Sequence, residues 1–349
     1  MNMLPALSLI EGAYLRDLLA QPQALADTLA GLRAAPSWEV RAASYAKIVL
    51  TGMGSSLHAL HPLQLRLVRA GHTAMLVETA ELIHAQADLL DDRTLLVVVS
   101  QSGRSVEVVQ LLERLAARAQ PPFVIGVTNT ADSPLAKGAR AIVWMRAGQE
   151  YSVSCKTSLA TLVALEWLGG ALGGEDPGAV LRELEQAAPA AQSYLAEWRR
   201  HVEQLMGELR GVRDLFITGR GASLAAAGTG GLIVKESAHF HAEGMSSPTF
   251  RHGPFEMISA EVFVLVFAGD PATAALNAAL VRDVRAAGGR AALVGDAEEP
   301  GVFRLPAVPA CVRPVVEMLP VQMVSLALGA LAGREPGRFE RGTKVTTIA

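Results

Sequence analysis

Apolar positions along this chain follow two rhythms. Short, nearly continuous runs of Val, Ile and Leu alternate with longer stretches in which apolar residues recur every three to four positions. In the first half the short runs predict strands at 46–51, 74–78, 94–100, 122–128 and 141–145, and the longer stretches predict helices at 57–70, 80–88, 105–119 and 157–172. Strands that are apolar throughout belong in a sheet covered on both faces, and strict strand–helix alternation predicts an α/β fold with a doubly wound parallel sheet. The second half repeats the plan, with strands near 214–218, 262–268 and 291–295 and helices near 222–239, 272–287 and 315–331. An amphipathic helix is expected over 11–32. After the turn-rich Gly173-Gly-Glu-Asp-Pro-Gly178, a long helix is expected over 179–209.

The repetition extends to residue identity. TGMGSSLHA, starting at Thr51, matches TGRGASLAA, starting at Thr218. Each follows a strand-like run and precedes a helical one, about 167 residues apart, which is the period of a domain duplication. The expected organisation is an N-terminal helical segment (1–34), a first domain (35–195), a second domain (196–335) and a tail (336–349) that carries Lys344.

Composition narrows the functional classes. A length of 349 residues suits two cores, and a chain that is 50% apolar and 19% charged is neither disordered nor fibrous. A net charge of −3 argues against nucleic acid as partner. Two cysteines, Cys155 and Cys311, make no disulfide framework. The first residues lack a basic n-region, and the strand-like apolar runs fall short of the roughly 18 residues of a membrane helix. The expectation is a cytoplasmic protein without membrane contact.

Doubly wound sheets bind ligands beyond the carboxyl ends of their strands. Two loops of the first half lie there: Gly52-Met-Gly54-Ser55-Ser56, and Ser100-Gln101-Ser102-Gly103-Arg104-Ser105. Hydroxyls, glycine and a helix N-terminus suit a phosphomonoester held without metal, although Ser105 taken alone reads as a helix cap. Neither loop ends in the Gly-Lys-Ser/Thr of a P-loop, and Leu57 and Leu224 stand where a dinucleotide fingerprint needs its third glycine. The second half has Ala268-Gly-Asp270 in place of the seryl loop, so one phosphate site per chain is expected. That half carries Glu236 near the end of an apolar helix and His252 before Gly-Pro, a carboxylate and an imidazole suited to stepwise proton transfer. His239 and His241 share a face if extended, but no third ligand has clear spacing, so no metal is expected. His58 and His61 are read as surface or packing residues.

These residues resemble the sugar isomerase (SIS) domain family, and in particular its double-SIS members. Those include the isomerase half of glutamine–fructose-6-phosphate aminotransferase (glucosamine-6-phosphate synthase), SIS-type glucosamine-6-phosphate deaminases and fructosamine-6-phosphate deglycases. The resemblance rests on Gly54-Ser-Ser56, Ser100-Gln-Ser-Gly103 with Ser105, Lys235-Glu236 with His241-Ala-Glu243, Arg251-His-Gly-Pro254 and Lys344-Val-Thr-Thr347. It implies two flavodoxin-like SIS domains and a sugar 6-phosphate held by Ser55, Ser56, Ser100, Gln101, Ser102 and Ser105. It implies Glu236 as the acid/base between C1 and C2, and His252 as a ring-opening group supplied by the neighbouring subunit of a homodimer. Lys344 would assist ring opening or form an imine. No cofactor is implied.

Three departures refine this. No N-terminal nucleophilic cysteine of a glutaminase half is present. Ile233 stands where the synthase has a further lysine, three residues before the acid/base. Val153-Ser-Cys-Lys156 replaces the family's Ala-Ser-Thr-Lys. The expected activity is an amino-sugar-phosphate isomerase/deaminase converting glucosamine 6-phosphate to fructose 6-phosphate and ammonia, or the reverse with free ammonia. The alternatives are a fructosamine-6-phosphate deglycase and a non-catalytic sugar-phosphate sensor.

Overall fold

Two all-parallel sheets appear in the computed structural model, which describes residues 7–35, 39–298 and 301–346. The first contains β1 (Lys47–Gly52), β2 (Ala74–Glu78), β3 (Thr94–Val99), β4 (Phe123–Thr128) and β5 (Ala141–Trp144), in the order β2-β1-β3-β4-β5. The second contains β6 (Asp214–Gly219), β7 (Ala242–Ser246), β8 (Val262–Phe267) and β9 (Arg290–Val294), in the order β7-β6-β8-β9. The first order is that of flavodoxin-like folds, and the second is the same order without its last strand. The duplication read from the two glycine-rich motifs is therefore present in the topology.

The chain divides into two compact units. One comprises residues 23–149, 156–185 and 341–349 and holds the five-stranded sheet; the other comprises 1–22, 150–155 and 186–340 and holds the four-stranded sheet. All six residues of β3 and all six of β8 are buried, because helices cover both faces of each central strand. In the first unit Val49, Leu96 and Val98 pack with Leu111 and Leu115 of the helix Val106–Ala116. In the second, Phe216, Val264 and Val266 pack with Phe250 and Leu280.

The strands expected in the first half all form. Three expected helices are broken into shorter pieces, and prolines mark three of the four breaks. The 11–32 stretch is two helices, Ala13–Leu19 and Gln21–Arg33; the 57–70 stretch is Ser55–His58 and His61–Arg69; the 179–209 stretch is covered by Pro177–Leu184, Ala187–Leu195 and Trp198–Glu208. Pro22, Pro62 and Pro189 each fall within the first three residues of a new helix, where a missing N–H costs no intrahelical bond.

β7 was not expected. Its sequence, Ala-Glu-Gly-Met-Ser, shows neither alternation nor a β-branched run. Its place is set by backbone proximity to the helix Leu224–Ala238: a Cβ on Gly231 would lie 2.5 Å from the Gly244 amide nitrogen, and one on Gly244 would lie 2.0 Å from the Ala227 carbonyl oxygen. Gly231→Ala is expected to destabilise the protein by about 1–3 kcal/mol, since the obstructing atoms are backbone and cannot swing away. Urea unfolding of the two proteins checks this, and equal midpoints would contradict the close packing.

The helix Arg313–Leu331 is long and apolar enough to cross a membrane by length and composition, which the reading of short runs overlooked. It is instead the central helix of its unit, buried at every residue from Pro314 to Ala330. Gln322 on this helix exchanges two amide hydrogen bonds with Gln21, at 2.9 and 2.8 Å.

Candidate active site

Within the five-stranded unit, β1 and β3 are neighbours in register, with Gly52 opposite Val99. The two seryl loops therefore leave adjacent strand ends, at the point where the strand order reverses. Gly54 adopts φ +51° and starts the short helix Ser55–His58. In the second loop Gly103 adopts φ +61°, and a Cβ there would lie 2.3 Å from Ser133 Oγ. Glycine is required on both grounds.

The second loop is held from below. The Ser100 N–H donates to the Val127 carbonyl at 3.1 Å, and the Gly103 N–H donates to Ser100 Oγ at 3.1 Å. The Gln101 carbonyl accepts from the Asn129 N–H at 3.1 Å and from the hydroxyls of Thr128 and Thr130 at 3.2 and 3.3 Å. The Arg104 N–H donates to Ser102 Oγ at 3.2 Å, and the Arg104 side chain pairs with Asp132 at 2.9 Å. Sequence reasoning missed this support from Thr128-Asn-Thr130. The available signal was its place directly after β4, at the same carboxyl edge.

Two serines of this loop are thus engaged internally, and a third is not. Ser105 occupies the cap position of the helix Val106–Ala116, but its side chain makes no capping hydrogen bond. Among the described residues the hydroxyls of Ser55 and Ser56 likewise make no hydrogen bond. Capping alone does not account for these serines. Three hydroxyls on the two loops are left for an anion, one of them at the start of a helix.

The tail meets this loop. The Val106 N–H, in the first turn of the helix that follows Ser105, donates to the Thr346 carbonyl at 3.2 Å. Lys344, two residues earlier, is half-buried on the same tail. The segment around Thr346 and the seryl loop are therefore brought together; Thr347 lies outside the described residues.

In the other unit Glu236 is half-buried near the end of the helix Leu224–Ala238, which terminates at His239 in a left-handed conformation, φ +51°. Nearby is a buried polar group: the Tyr14 hydroxyl, 2.9 Å from Ser325 Oγ. Burial pushes the Tyr14 phenol well above its ordinary pKa, and the neighbouring Cys155, Glu236 and Glu150 add to the push. Tyr14 is therefore a neutral hydroxyl within electrostatic reach of Glu236. Ile233, where a synthase-like lysine would stand, is fully buried.

His252 ends the short helix Ser247–Arg251 and is exposed. Its ring makes no hydrogen bond or ion pair among the described residues, so one chain does not join it to Glu236 by direct contact. His241 is paired with Asp214 at 2.7 Å, and His239 lies 3.8 Å from Glu340. Among the described residues no group of three or more His, Cys, Asp or Glu side chains could hold a metal. His58 and His61 fall on separate short helices with their rings stacked at 6.5 Å. In the segment that departs from the family pattern, the Cys155 N–H donates to Glu150 Oε1 at 2.9 Å and the thiol lies 3.4 Å from the same oxygen, so this side chain turns inward.

Comparison with known proteins agrees with this layout. A family model described as SIS domain matches residues 43–169 and 208–300. A glutamine–fructose-6-phosphate aminotransferase (isomerizing) of Pyrococcus horikoshii is 30% identical over 97% of this chain and 58% of its own length. The corresponding protein of Streptomyces coelicolor is 28% identical over 96% of this chain and 58% of its own. The chain thus spans little more than half the length of these curated relatives. Among solved structures, the C-terminal domain of glucosamine-fructose-6-phosphate aminotransferase from Francisella tularensis superposes with a TM-score of 0.83 at 20% identity, covering 94% of this chain and 98% of that one. A glucosamine-6-phosphate deaminase from Thermotoga maritima superposes at 0.79 with 16% identity, covering 97% and 100%. With both halves matched by one family model, and with one sheet order built twice from one repeated motif, the chain belongs to the SIS domain family.

Proposed function

We propose that this protein is a phosphosugar isomerase that acts on an amino-sugar 6-phosphate, converting glucosamine 6-phosphate to fructose 6-phosphate and ammonia or running the reverse with free ammonia. The observation that carries the reading is the set of uncommitted hydroxyls of Ser55, Ser56 and Ser105 at the adjacent ends of β1 and β3. With Gly54 and the braced Ser100, Gln101 and Ser102, these groups would hold the 6-phosphate. His252 and Lys344 would open the ring. The Glu236 carboxylate would take the C2 proton and return it at C1, turning the C2 amine into an imine. Water would then add at C2, the C–N bond would break, and ammonia would leave. Atoms balance with one water consumed, and no oxidant or cofactor is needed. Ile233, three residues before Glu236, stands where the resemblance places a further synthase lysine, and this favours handling of a free amine over the synthase pattern.

The direct test is to incubate the protein with glucosamine 6-phosphate and assay both ammonia and fructose 6-phosphate. Equimolar release is expected; no release, with turnover of a glycated amino acid 6-phosphate, would transfer the assignment to a deglycase. Replacing Ser56 and Ser105 together by Ala is expected to raise KM by about 10- to 100-fold, the worth of one or two hydrogen bonds to a charged group. An unchanged KM would remove the phosphate role. We also propose that the protein works as a homodimer in which His252 serves the partner's site. Co-refolded Glu236→Gln and His252→Asn chains should then recover activity that neither has alone. Failure to recover any would place both groups in one chain's site.

A further inference from the structure

We infer that the cavity at the carboxyl edge of the four-stranded sheet is a binding site for a small primary amine with an apolar body, a function that none of the groups discussed above serves. The cavity has a volume of ≈ 420 Å³ and is bounded by Ala268 and Gly269 after β8 and by Gly295 and Asp296 after β9. This is the edge at which doubly wound sheets take their ligands, and the volume lies in the lower part of the roughly 300–1,000 Å³ range of small-molecule sites.

The walls are mostly apolar, formed by alanines of the helix Pro271–Ala286 and by Leu305 and Val308. Four charged groups also line it. Asp296 and Glu298 follow β9, and Arg313 and Glu317 lie in the first turns of the helix Arg313–Leu331. Arg313 already donates to the Gly269 carbonyl at 2.9 Å. Glu317 is 1% exposed. The Ser223 hydroxyl donates to its Oε1 at 2.9 Å, and its Oε2 has no hydrogen-bond partner among the described residues. A buried carboxyl oxygen left unpaired is costly, and a ligand N–H is the group that would satisfy it.

The charge pattern selects the ligand. The carboxylates of Asp296 and Glu298 face one guanidinium that is already engaged, which disfavours phosphate and carboxylate ligands, and a bound ammonium would favour ionisation of Glu317 as well. The loop after β8 reads Ala268-Gly-Asp270 and lacks the hydroxyls found after β3. A primary ammonium supplies up to three donors for Glu317 and the acids after β9, and its alkyl part fits the alanine-lined wall.

Calorimetric titration of the full chain with isoamylamine, isoamyl alcohol and isovalerate, matched in size and shape, tests the inference. The amine is expected to bind saturably and about tenfold more tightly than the alcohol, as a charge-assisted hydrogen bond requires, with no saturation by isovalerate. At pH 9, where Glu317 is ionised and the amine still charged, Glu317→Gln should weaken amine binding about tenfold. Ala275→Trp, placed at an exposed position of the lining, should abolish it while the circular dichroism spectrum stays unchanged. Equal affinity for amine and alcohol would overturn the inference, as would amine binding that survives Ala275→Trp. So would isovalerate or inorganic phosphate binding that Ala275→Trp removes.

Discussion

Glu236→Gln is expected to lower kcat with glucosamine 6-phosphate by about 100- to 10,000-fold, the range general acid–base catalysis contributes, and to leave KM almost unchanged. Gln keeps the shape and hydrogen-bonding reach of Glu but cannot carry a proton between C2 and C1. Its position at the end of the helix Leu224–Ala238 is set by the packing of Ile233 and Val234, both fully buried, so the substitution leaves the scaffold intact. Tyr14 stays protonated beside it in either case, because burial dominates its titration. Two readouts separate a catalytic role from a structural one. Exchange of the C2 hydrogen with solvent deuterium should disappear along with turnover. The thermal shift produced by glucosamine 6-phosphate should persist, since the serines proposed to hold the phosphate are untouched. Unchanged turnover in the variant would refute the assignment. Loss of both turnover and substrate binding would show a structural role for Glu236.

The sequence disclosed the fold wherever burial on both faces left a mark. Thr94–Val99 and Val262–Phe267 are continuous apolar runs because helices cover both sides of them, and they were readable for that reason. β7 was not readable, because an edge strand positioned by Gly231 and Gly244 against a helix backbone needs no hydrophobic pattern of its own. Helix breaks at Pro22, Pro62 and Pro189 left a signal that periodicity alone passed over. The seryl loops were legible as loops after strands. It was not legible that Ser105 would occupy a cap position without capping, or that the Val106 N–H would donate to the Thr346 carbonyl. The second depends on a segment far away in sequence. Glu317 was hidden for a related reason: one acid within a 19-residue apolar helix gives no sign of what faces it.

That burial of Glu317 has a measurable consequence for stability. Burial pushes its carboxyl up to about 8 from an ordinary 4.5, and the Ser223 hydroxyl and Arg313 only partly offset the effect. The folded protein therefore holds a proton on Glu317 between these two values, and the unfolded chain does not. Unfolding releases that proton, so stability falls as pH rises from about 4.5 to about 8 and is flat on either side as far as this group is concerned. At about 1.4 kcal/mol per pH unit for one proton, the total is on the order of a few kcal/mol, a large part of a typical domain's stability. Gln cannot ionise, and it can still accept from Ser223. The expectation is that Glu317→Gln and the parent have similar urea midpoints near pH 5, and that the variant becomes the more stable of the two by pH 8. The difference between them cancels the groups distant from this cavity that both proteins share. Parallel stability curves across that range would show that Glu317 is ionised in the folded protein, and its unpaired oxygen would then have to be hydrated.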